Sequence, residues 1–232
     1  RSFKKAAEYT EGRKVRSGRR ARAMDKGSTY GRKQQEEIWQ NAEVSALYSL
    51  AEAGVRVPKA YGCIDGVLLM ELITDEKGDV APRLDEVVMP AEQAREDHAL
   101  MMRYIVRMLC AGIIHGDLSE FNVLVDEDGP VVIDLPQAVN AAANNQAKGM
   151  LARDVNNMSR YYGQYAPELL GAHYADEIWA YYEDGELTPE IALTGQFEAS
   201  GKSADVDAVL EEIKAAMAEE QARQERINGP DE

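Results

Sequence analysis

The stretch IIHGDLSEFNVLVDEDGPVVIDLPQAV, residues 113–139, contains two apolar runs separated by an acidic segment. An Asp-Gly pair at 128–129 favours a tight turn, so we predict a β-hairpin with strands Asn122–Val125 and Val131–Leu135. A tight turn holds the far ends of its two strands side by side. We therefore expect the polar residues that flank the two strands to lie close together.

Three of those polar residues have side chains suited to phosphoryl transfer. Asp117 and Asn122 precede the first strand, and Asp134 closes the second. One carboxylate and one amide carbonyl, from Asp134 and Asn122, suit Mg²⁺, which prefers a few protein oxygens and keeps other positions for water or phosphate. Asp117 would then orient or deprotonate a hydroxyl. The alternative is that these residues only stabilise turns.

Composition places the chain among globular proteins. Of its 232 residues 45% are hydrophobic, which is enough to bury a core. We expect the two cysteines, Cys63 and Cys110, to be small buried core residues and not a disulfide. No apolar run approaches the roughly 18–20 residues of a membrane helix, and the first residues lack the apolar core of a signal peptide. We therefore predict a cytoplasmic protein without a membrane partner.

Charge is distributed unevenly along the chain. Residues 1–33, the basic arm, carry a net charge of +9, whereas the whole chain has −15. An acidic body argues against general adhesion to nucleic acid, while the basic arm could still meet phosphates. We predict that the arm is a long flexible loop, and a purely solvated role for it stays open.

Periodicity predicts the remaining elements. Apolar residues at helical spacing predict a helix over about 34–53, with Glu43 on its inward side. The Asp65-Gly66 pair predicts a second hairpin, whose later strand is Val67–Leu72. Residues 74–90 form an irregular connection. Further helices are predicted over about 91–111, within 146–166 and 173–185, and from Ser203 onward.

The motifs of this chain resemble the RIO family of atypical serine/threonine protein kinases in its bacterial form. HGDLSEFN places His115, Asp117 and Asn122 on the H-x-D-x-x-x-x-N pattern of kinase catalytic loops, and Asp134 follows where kinases carry a metal-binding Asp. Like that family, the loop has a Ser two residues after its Asp, and Pro136-Gln137 follows Asp134. FKKAAEYTEGR, VLLMELI, APRLDEV and RDVNNMSRYY add to the likeness, which runs from residue 1 to about 165.

The resemblance implies a protein-kinase-like, two-lobed α+β fold. Residues 1–73 would form an incomplete N-terminal lobe, and residues 74–232 a mostly helical C-terminal lobe with the catalytic hairpin. The implied activity is transfer of the ATP γ-phosphoryl group to a Ser/Thr hydroxyl, or to water, with ATP and Mg²⁺ as cofactors. RIO proteins have also been discussed as ATPases that phosphorylate their own metal-binding Asp, here Asp134.

Site residues follow from the same resemblance. Asp117 would be the catalytic residue, and Asn122 and Asp134 the metal ligands. His115 would pack and hydrogen-bond to the loop backbone. The nucleotide site would use five further residues: Glu43 as the helix Glu that pairs with a lysine, Met70 behind the adenine, the backbone of Glu71 and Ile73, and Ser119. For Met70 core packing, for Glu43 an unpaired helix carboxylate, and for Ser119 a turn-stabilising hydroxyl remain the alternatives.

One departure from the family pattern concerns the nucleotide. Nothing in residues 1–33 resembles the Gly-rich strand pair or the lysine strand, and Lys4 and Lys5 lie in a polar segment. Because the chain also begins with Arg, we expect an N-terminally truncated piece of an active kinase, which binds ATP poorly and could be inactive as it stands. The alternative is a chain that has lost part of its nucleotide-binding site.

Two rival functions remain. A small-molecule phosphotransferase of the aminoglycoside and choline kinase type also uses HGDL, but normally with different residues after the loop and after the metal Asp. A non-catalytic kinase-like module would bind RNA or a ribosomal particle through the basic arm. The sequence does not identify the phosphoacceptor or the oligomeric state.

Overall fold

The computed structural model describes residues 43–64 and 67–197, which contain both helices and short antiparallel strands. Helix α1 covers residues 43–52 of the described part. The other elements, in chain order, are β1 (Ala60–Ile64), β2 (Val67–Met70), α2 (Ala91–Cys110), β3 (Ile113–Ile114), β4 (Val123–Asp126), β5 (Gly129–Val132), β6 (Val139–Asn140), α3 (Ala147–Tyr162) and α4 (Tyr174–Glu183).

Several predictions from the sequence lie outside the described residues. These are the flexible basic arm, the part of the first helix before residue 43, the turn at Asp65-Gly66 and the helix from Ser203. Within the described residues, the helices predicted over 91–111, 146–166 and 173–185 are confirmed.

Three long helices form the main body of the fold. Helices α2 and α3 pack against each other, and α4 packs against both. Apolar residues on α2 and α3 recur every three or four positions, so each helix presents one apolar stripe to its neighbours. The stripe residues that are almost fully buried include Met101, Ile105, Met108, Met150, Leu151, Val155 and Met158.

The strands form pairs. Within the described residues β1 pairs with β2, β3 with β6, and β4 with β5, all antiparallel. In the β4–β5 hairpin Val123 lies opposite Val132 and Asp126 opposite Gly129. Val123 and Val132 are fully buried, so the hairpin packs into the same core as α2 and α3.

Four predicted boundaries were wrong. The β4–β5 turn is Glu127-Asp128, one residue earlier than the predicted Asp128-Gly129, because the Asp126 carboxylate accepts the Asp128 N–H at 2.9 Å and closes the turn there. Strand β5 ends at Val132 and not at Leu135, since Asp134 has a φ of +66° and leaves the extended conformation.

The other boundary errors concern β2 and β4. Strand β2 ends at Met70 and not at Leu72, because the segment changes partner: the Glu71 N–H still donates to Lys59, but the Ile73 carbonyl accepts from the Ala81 N–H. Asn122 is not the first residue of β4: it ends the short 3₁₀ turn Glu120–Asn122.

The predicted burial of the cysteines was also wrong. Cys63 and Cys110 are both exposed, although both are free thiols as expected. Cys63 lies on the β1–β2 hairpin, most of whose side chains are exposed among the described residues, and Cys110 is the last residue of α2. An apolar sequence neighbourhood therefore did not imply a buried position.

The loop after α1 contacts both the β4–β5 hairpin and α2. Arg56 accepts the Val132 N–H through its carbonyl oxygen at 2.9 Å, and its side chain forms an ion pair with Asp126. Arg107 on α2 donates to the Gly54 carbonyl at 2.9 Å.

No helix in residues 43–64 and 67–197 has the length and apolar character needed to cross a membrane.

Candidate active site

The open end of the β4–β5 hairpin brings Asn122 and Asp134 to one place. Val123 pairs with Val132, and one step further out the Ile133 N–H donates to the Asn122 carbonyl at 3.0 Å. Asn122 is buried, whereas Asp134 is exposed to solvent. The two candidate metal ligands therefore leave the same end of the hairpin.

The catalytic loop holds Asp117 beside them. The Asn122 side chain donates through Nδ2 to the Asp117 carbonyl at 2.8 Å, and this use of Nδ2 leaves the Asn122 Oδ1 oxygen as an acceptor. Gln137 donates through Nε2 to Asp117 Oδ2 at 2.9 Å. Asp117 itself is half-buried. The loop is thus tied both to the start of β4 and to the segment after Asp134.

His115 fixes the loop against the second strand of the hairpin. It is buried, its Nε2 lies 3.0 Å from the Ile133 carbonyl, and the Asp117 N–H donates to its Nδ1 at 3.3 Å. Because Nδ1 accepts a hydrogen bond, the proton belongs on Nε2, which then donates to Ile133. The predicted packing and backbone-bonding role of His115 is confirmed.

Asp154 on α3 is a site residue that the sequence reasoning missed. Its buried carboxylate accepts the backbone N–H groups of Gly116 at 2.8 Å and Leu118 at 3.0 Å, the two neighbours of Asp117. Burial raises its pKa to about 6, against the opposing effects of His115 and of these hydrogen bonds. Asp154 follows Met150 by four residues on the apolar stripe of α3, and a carboxylate in such a stripe was the available signal.

Two neighbours on α3 hold the same loop. Arg153 donates through Nη2 to the Gly116 carbonyl at 3.0 Å, and Asn157 donates through Nδ2 to the Leu118 carbonyl at 2.9 Å. Together with Asp154 they bind both the N–H and the C=O groups on either side of Asp117. The loop around Asp117, the candidate catalytic residue, is therefore held by one turn of a core helix.

Glu43 lies near the exposed metal-ligand candidate. Burial raises its pKa, and the nearby negative charge of Asp134 raises it further. No Lys or Arg pairs with Glu43 within residues 43–64 and 67–197. A cation between the two carboxylates would relieve their repulsion.

The predicted adenine-contacting segment lies after β2. Met70 pairs with Ala60 and is 39% exposed, so it is not a plain core residue. The Glu71 N–H donates to Lys59, and the Ile73 carbonyl accepts from Ala81. Neither the Glu71 carbonyl nor the Ile73 N–H has a hydrogen-bond partner among the described residues.

Ile73 and Ser119 connect this segment and the loop to the hairpin. The Ile73 side chain packs with Val131 of β5 and Leu124 of β4. Ser119 accepts the Asn122 N–H through its carbonyl, but its hydroxyl forms no capping bond with the 3₁₀ turn. The absence of this bond speaks against the alternative that the Ser119 hydroxyl stabilises the turn.

The oxygen donors at the hairpin end fit a magnesium ion. In the described part of the chain no three His, Cys, Asp or Glu side chains gather in a metal-binding cluster. Asn122 and Asp134 would supply two oxygens, which is the small number that Mg²⁺ uses when phosphate and water complete its shell. Such a donor set would suit a nucleotide-associated ion better than a structural metal.

Comparison with known proteins adds an independent finding. Residues 2–175 match the family model described as the RIO domain. The chain is 38% identical over 124 residues to the RIO-type serine/threonine-protein kinase Rio1 of Haloferax volcanii, an alignment that covers 53% of this chain and 41% of that protein. It is 39% identical over 90 residues to the RIO-type serine/threonine-protein kinase Rio2 of Methanocaldococcus jannaschii. That alignment covers 38% of this chain and 33% of that protein.

A human relative is similar over a longer stretch. The serine/threonine-protein kinase RIO1 of Homo sapiens is 28% identical over 156 residues, covering 66% of this chain and 26% of the human protein. The alignments thus span less than half the length of these relatives. The family match and the mixture of helices and strands confirm the predicted kinase-like α+β fold.

Proposed function

The chain belongs to the RIO domain family, and on that premise we propose that it is the catalytic part of a serine/threonine protein kinase or ATPase. It transfers the γ-phosphoryl group of ATP to a Ser/Thr hydroxyl or to water. Three relatives from distant organisms carry kinase names. The observation that carries the proposal is the common end of the hairpin from which Asn122 and Asp134 emerge, with Asp117 bonded to Asn122.

Asp117 acts on the hydroxyl. Its carboxylate accepts the hydroxyl hydrogen, so the oxygen is oriented towards phosphorus. The new bond joins that oxygen to the γ-phosphorus, the bond from the γ-phosphorus to the bridging oxygen breaks, and ADP leaves with the bond electrons. The proton passes to Asp117. Positioning and charge neutralisation account for most of the acceleration in such a loose transition state.

The metal ligands and the adenine contacts bind the nucleotide. Asn122 and Asp134 would hold Mg²⁺, which when bound neutralises the phosphate oxygens. The Glu71 carbonyl and the Ile73 N–H, which form no hydrogen bond within the described part of the chain, would contact adenine, with Met70 behind it. Glu43 and the Ser119 hydroxyl would contribute at the phosphate side.

Several broader features belong to the same proposal. We place the protein in the cytoplasm and divide it into an N-terminal lobe at 1–73 and a C-terminal lobe at 74–232. The basic arm would meet a phosphate-bearing partner such as RNA or a ribosomal particle. It lies outside the described residues, so its support is its charge alone.

The test is magnesium-dependent ATP turnover, at saturating ATP, by the full-length protein that includes the expected N-terminal Gly-rich strand pair and lysine. D117N should reduce kcat by about 100-fold or more, since general-base groups contribute 10²–10⁴-fold. D134N should abolish the magnesium-dependent turnover while the protein stays folded. D128N is the matched control, because Asp128 lies at the opposite end of the same hairpin. Wild-type turnover that D117N and D134N leave unchanged would refute the proposal.

The acceptor distinguishes the rival functions. Labelled γ-phosphate that appears on protein Ser or Thr supports a kinase, and phosphate release alone supports an ATPase. Labelling of an aminoglycoside or choline instead would indicate the small-molecule phosphotransferase. RNA binding without any turnover would indicate the non-catalytic module.

A further inference from the structure

Gln137 makes a side-chain contact that no proposed role uses. Its Nε2 donates to Asp117 Oδ2 at 2.9 Å, across 20 positions of sequence. Both side chains are half-buried, so the bond is partly shielded from competing water. The acceptor is the carboxylate oxygen of the catalytic candidate itself.

The backbone around Gln137 directs its side chain to this contact. The left-handed conformation of Asp134, with a φ of +66°, turns the chain out of the hairpin. A tight turn follows, closed by the Ala138 N–H, which donates to the Leu135 carbonyl at 2.9 Å. Pro136 occupies the second position of that turn, where its fixed φ is favourable. Gln137 therefore starts three residues from Asp134 and reaches back to the catalytic loop.

The chemistry of the donor suits a carboxylate that must remain reactive. An amide N–H holds one oxygen of Asp117 without adding a positive charge, whereas a Lys or Arg in its place would form an ion pair. Oδ2 already accepts this bond, whereas Oδ1 accepts none within the described part of the chain, so Oδ1 is the more available oxygen for a hydroxyl hydrogen. The same bond links the catalytic loop to the segment that carries Asp134.

We propose that Gln137 is a positioning residue, which holds the Asp117 carboxylate in the rotamer that presents Oδ1 to the acceptor hydroxyl. The catalytic consequence rests on the proposed phosphoryl transfer, but the positioning of the Asp117 side chain does not. Gln137 acts through Asp117 and does not itself touch the reacting groups.

The chain offers a matched control. Gln93 donates to Asp97 at 2.8 Å on α2, a Gln–Asp bond of the same kind away from the site. Q137M and Q93M each keep the shape of the side chain and remove the donor. Q137E also keeps the shape but places a like charge beside Asp117, so it should act more strongly than Q137M.

Two readouts decide the proposal. In turnover assays Q137M should lower kcat about tenfold while KM for ATP stays within about twofold, and Q93M should change neither. In NMR, the three-bond couplings that report the Asp117 χ1 angle should indicate one rotamer in the wild type and averaging in Q137M. Thermal unfolding of both variants checks that they are folded, and Q137E serves as the second variant if Q137M unfolds.

The outcomes separate the two proposals. If the full-length wild type shows no turnover, the proposed function fails, and the Asp117 couplings alone decide the role of Gln137. Asp117 couplings that are identical in wild type, Q137M and Q137E would overturn the positioning role. So would a kcat that Q137M and Q137E leave at the wild-type value in an active chain.

Discussion

Arg56 and Asp126, 70 positions apart in the sequence, form a two-pronged ion pair. Arg56 Nη1 lies 2.8 Å from Asp126 Oδ1, and Nη2 lies 2.7 Å from Oδ2. Burial alone would raise the pKa of Asp126, but the hydrogen bonds from Arg56 and the backbone outweigh it and hold that pKa below its usual value. Nη1 also donates to the Gly129 carbonyl at 3.1 Å. The pair therefore fixes the turn of the hairpin that carries the candidate metal ligands.

Loss of this pair should lower stability. We expect R56M to reduce the free energy of unfolding by about 1–2 kcal/mol. This is less than the loss of a fully buried ion pair would cost, because a third of the Arg56 side chain is exposed to solvent. Urea unfolding measures it, and the cycle with D126N isolates the coupling. D128N, which removes only a 3.9 Å contact to Arg56, should cost less than about 0.5 kcal/mol. Equal losses from R56M and D128N would contradict this reading.

The same ion pair explains why the β4–β5 hairpin was predicted correctly from the sequence, whereas the position of its turn was not. The Asp128-Gly129 signal correctly indicated a turn between two strands. The actual turn is one residue earlier because Asp126, held by Arg56, accepts the Asp128 N–H. Gly129 instead pairs within the sheet at a φ of +105°, a conformation that glycine adopts readily. A partner 70 positions away is not visible in a local pattern.

The site was predictable only where its residues follow one another closely. The motif around Asp117, Asn122 and Asp134 is contained in 18 positions, and the hairpin brings its ends together as expected. Asp154 and the Gln137 contact depend on packing between α3, the loop and the turn after Asp134. The burial errors at Cys63 and Cys110 have the same origin, because exposure depends on what covers a surface.

Asp154 should support both stability and turnover. D154A removes the acceptor of the Gly116 and Leu118 N–H groups. Because two buried donors lose their partner, we expect the free energy of unfolding to fall by about 2–4 kcal/mol. If the proposed function holds, kcat should also fall by about tenfold or more, since both donors flank Asp117. Urea unfolding and ATP turnover measure the two effects. A folded D154A with wild-type stability would contradict the assigned role.

The pH dependence of Asp154 has a defined sign. Its pKa is about 6 in the folded state against the ordinary 3.8, so the folded chain binds this proton more readily over that interval. The resulting stability is complete below about pH 4 and is lost as the pH rises through about 6. D154N does not titrate, so its unfolding free energy should lack this decline. A decline of the same size in D154N would assign the effect to another group.

His98 should produce the opposite pH dependence. Its ring is buried, contacts the Tyr162 ring edge-on, and lies 3.0 Å from Ser159 Oγ. Burial lowers its pKa from 6.5 to about 4, so the unfolded chain binds the proton first as the pH falls. Stability is therefore complete above about pH 6.5 and is lost as the pH drops through about 4, by at most about 3 kcal/mol.

H98Q tests this contribution. Glutamine is neutral at every pH of interest and retains a donor for Ser159, so the fall in stability between pH 7 and pH 4.5 should shrink by about 1–3 kcal/mol relative to wild type. Because Asp154 acts with the opposite sign over part of the range, the wild-type profile alone underestimates both effects. Urea unfolding of wild type, H98Q and D154N at each pH separates them. An unchanged slope in H98Q would indicate that another group is responsible.

Gly195 closes the segment after α4 under a steric constraint. The buried Glu177 carboxylate accepts the Thr194 N–H and hydroxyl and the Gly195 N–H, the last at 2.8 Å. Gly195 has a φ of +68°, and a Cβ there would lie 2.8 Å from Tyr174 Cζ and 3.0 Å from Ala172 Cβ. G195A therefore combines backbone strain with a clash against neighbouring side chains.

G185A provides the comparison for this prediction. Gly185 has a similar φ of +71°, but a Cβ there would meet nothing within 4 Å, so G185A carries the backbone strain alone. We expect G185A to cost about 1 kcal/mol and G195A about 1–3 kcal/mol more. Because the Glu177 hydrogen bonds hold residues 194 and 195, G195A should also speed limited proteolysis between 188 and 197, while G185A should not. Equal unfolding free energies for the two variants would contradict the predicted clash, because the Tyr174 ring would then have moved aside at no energetic cost.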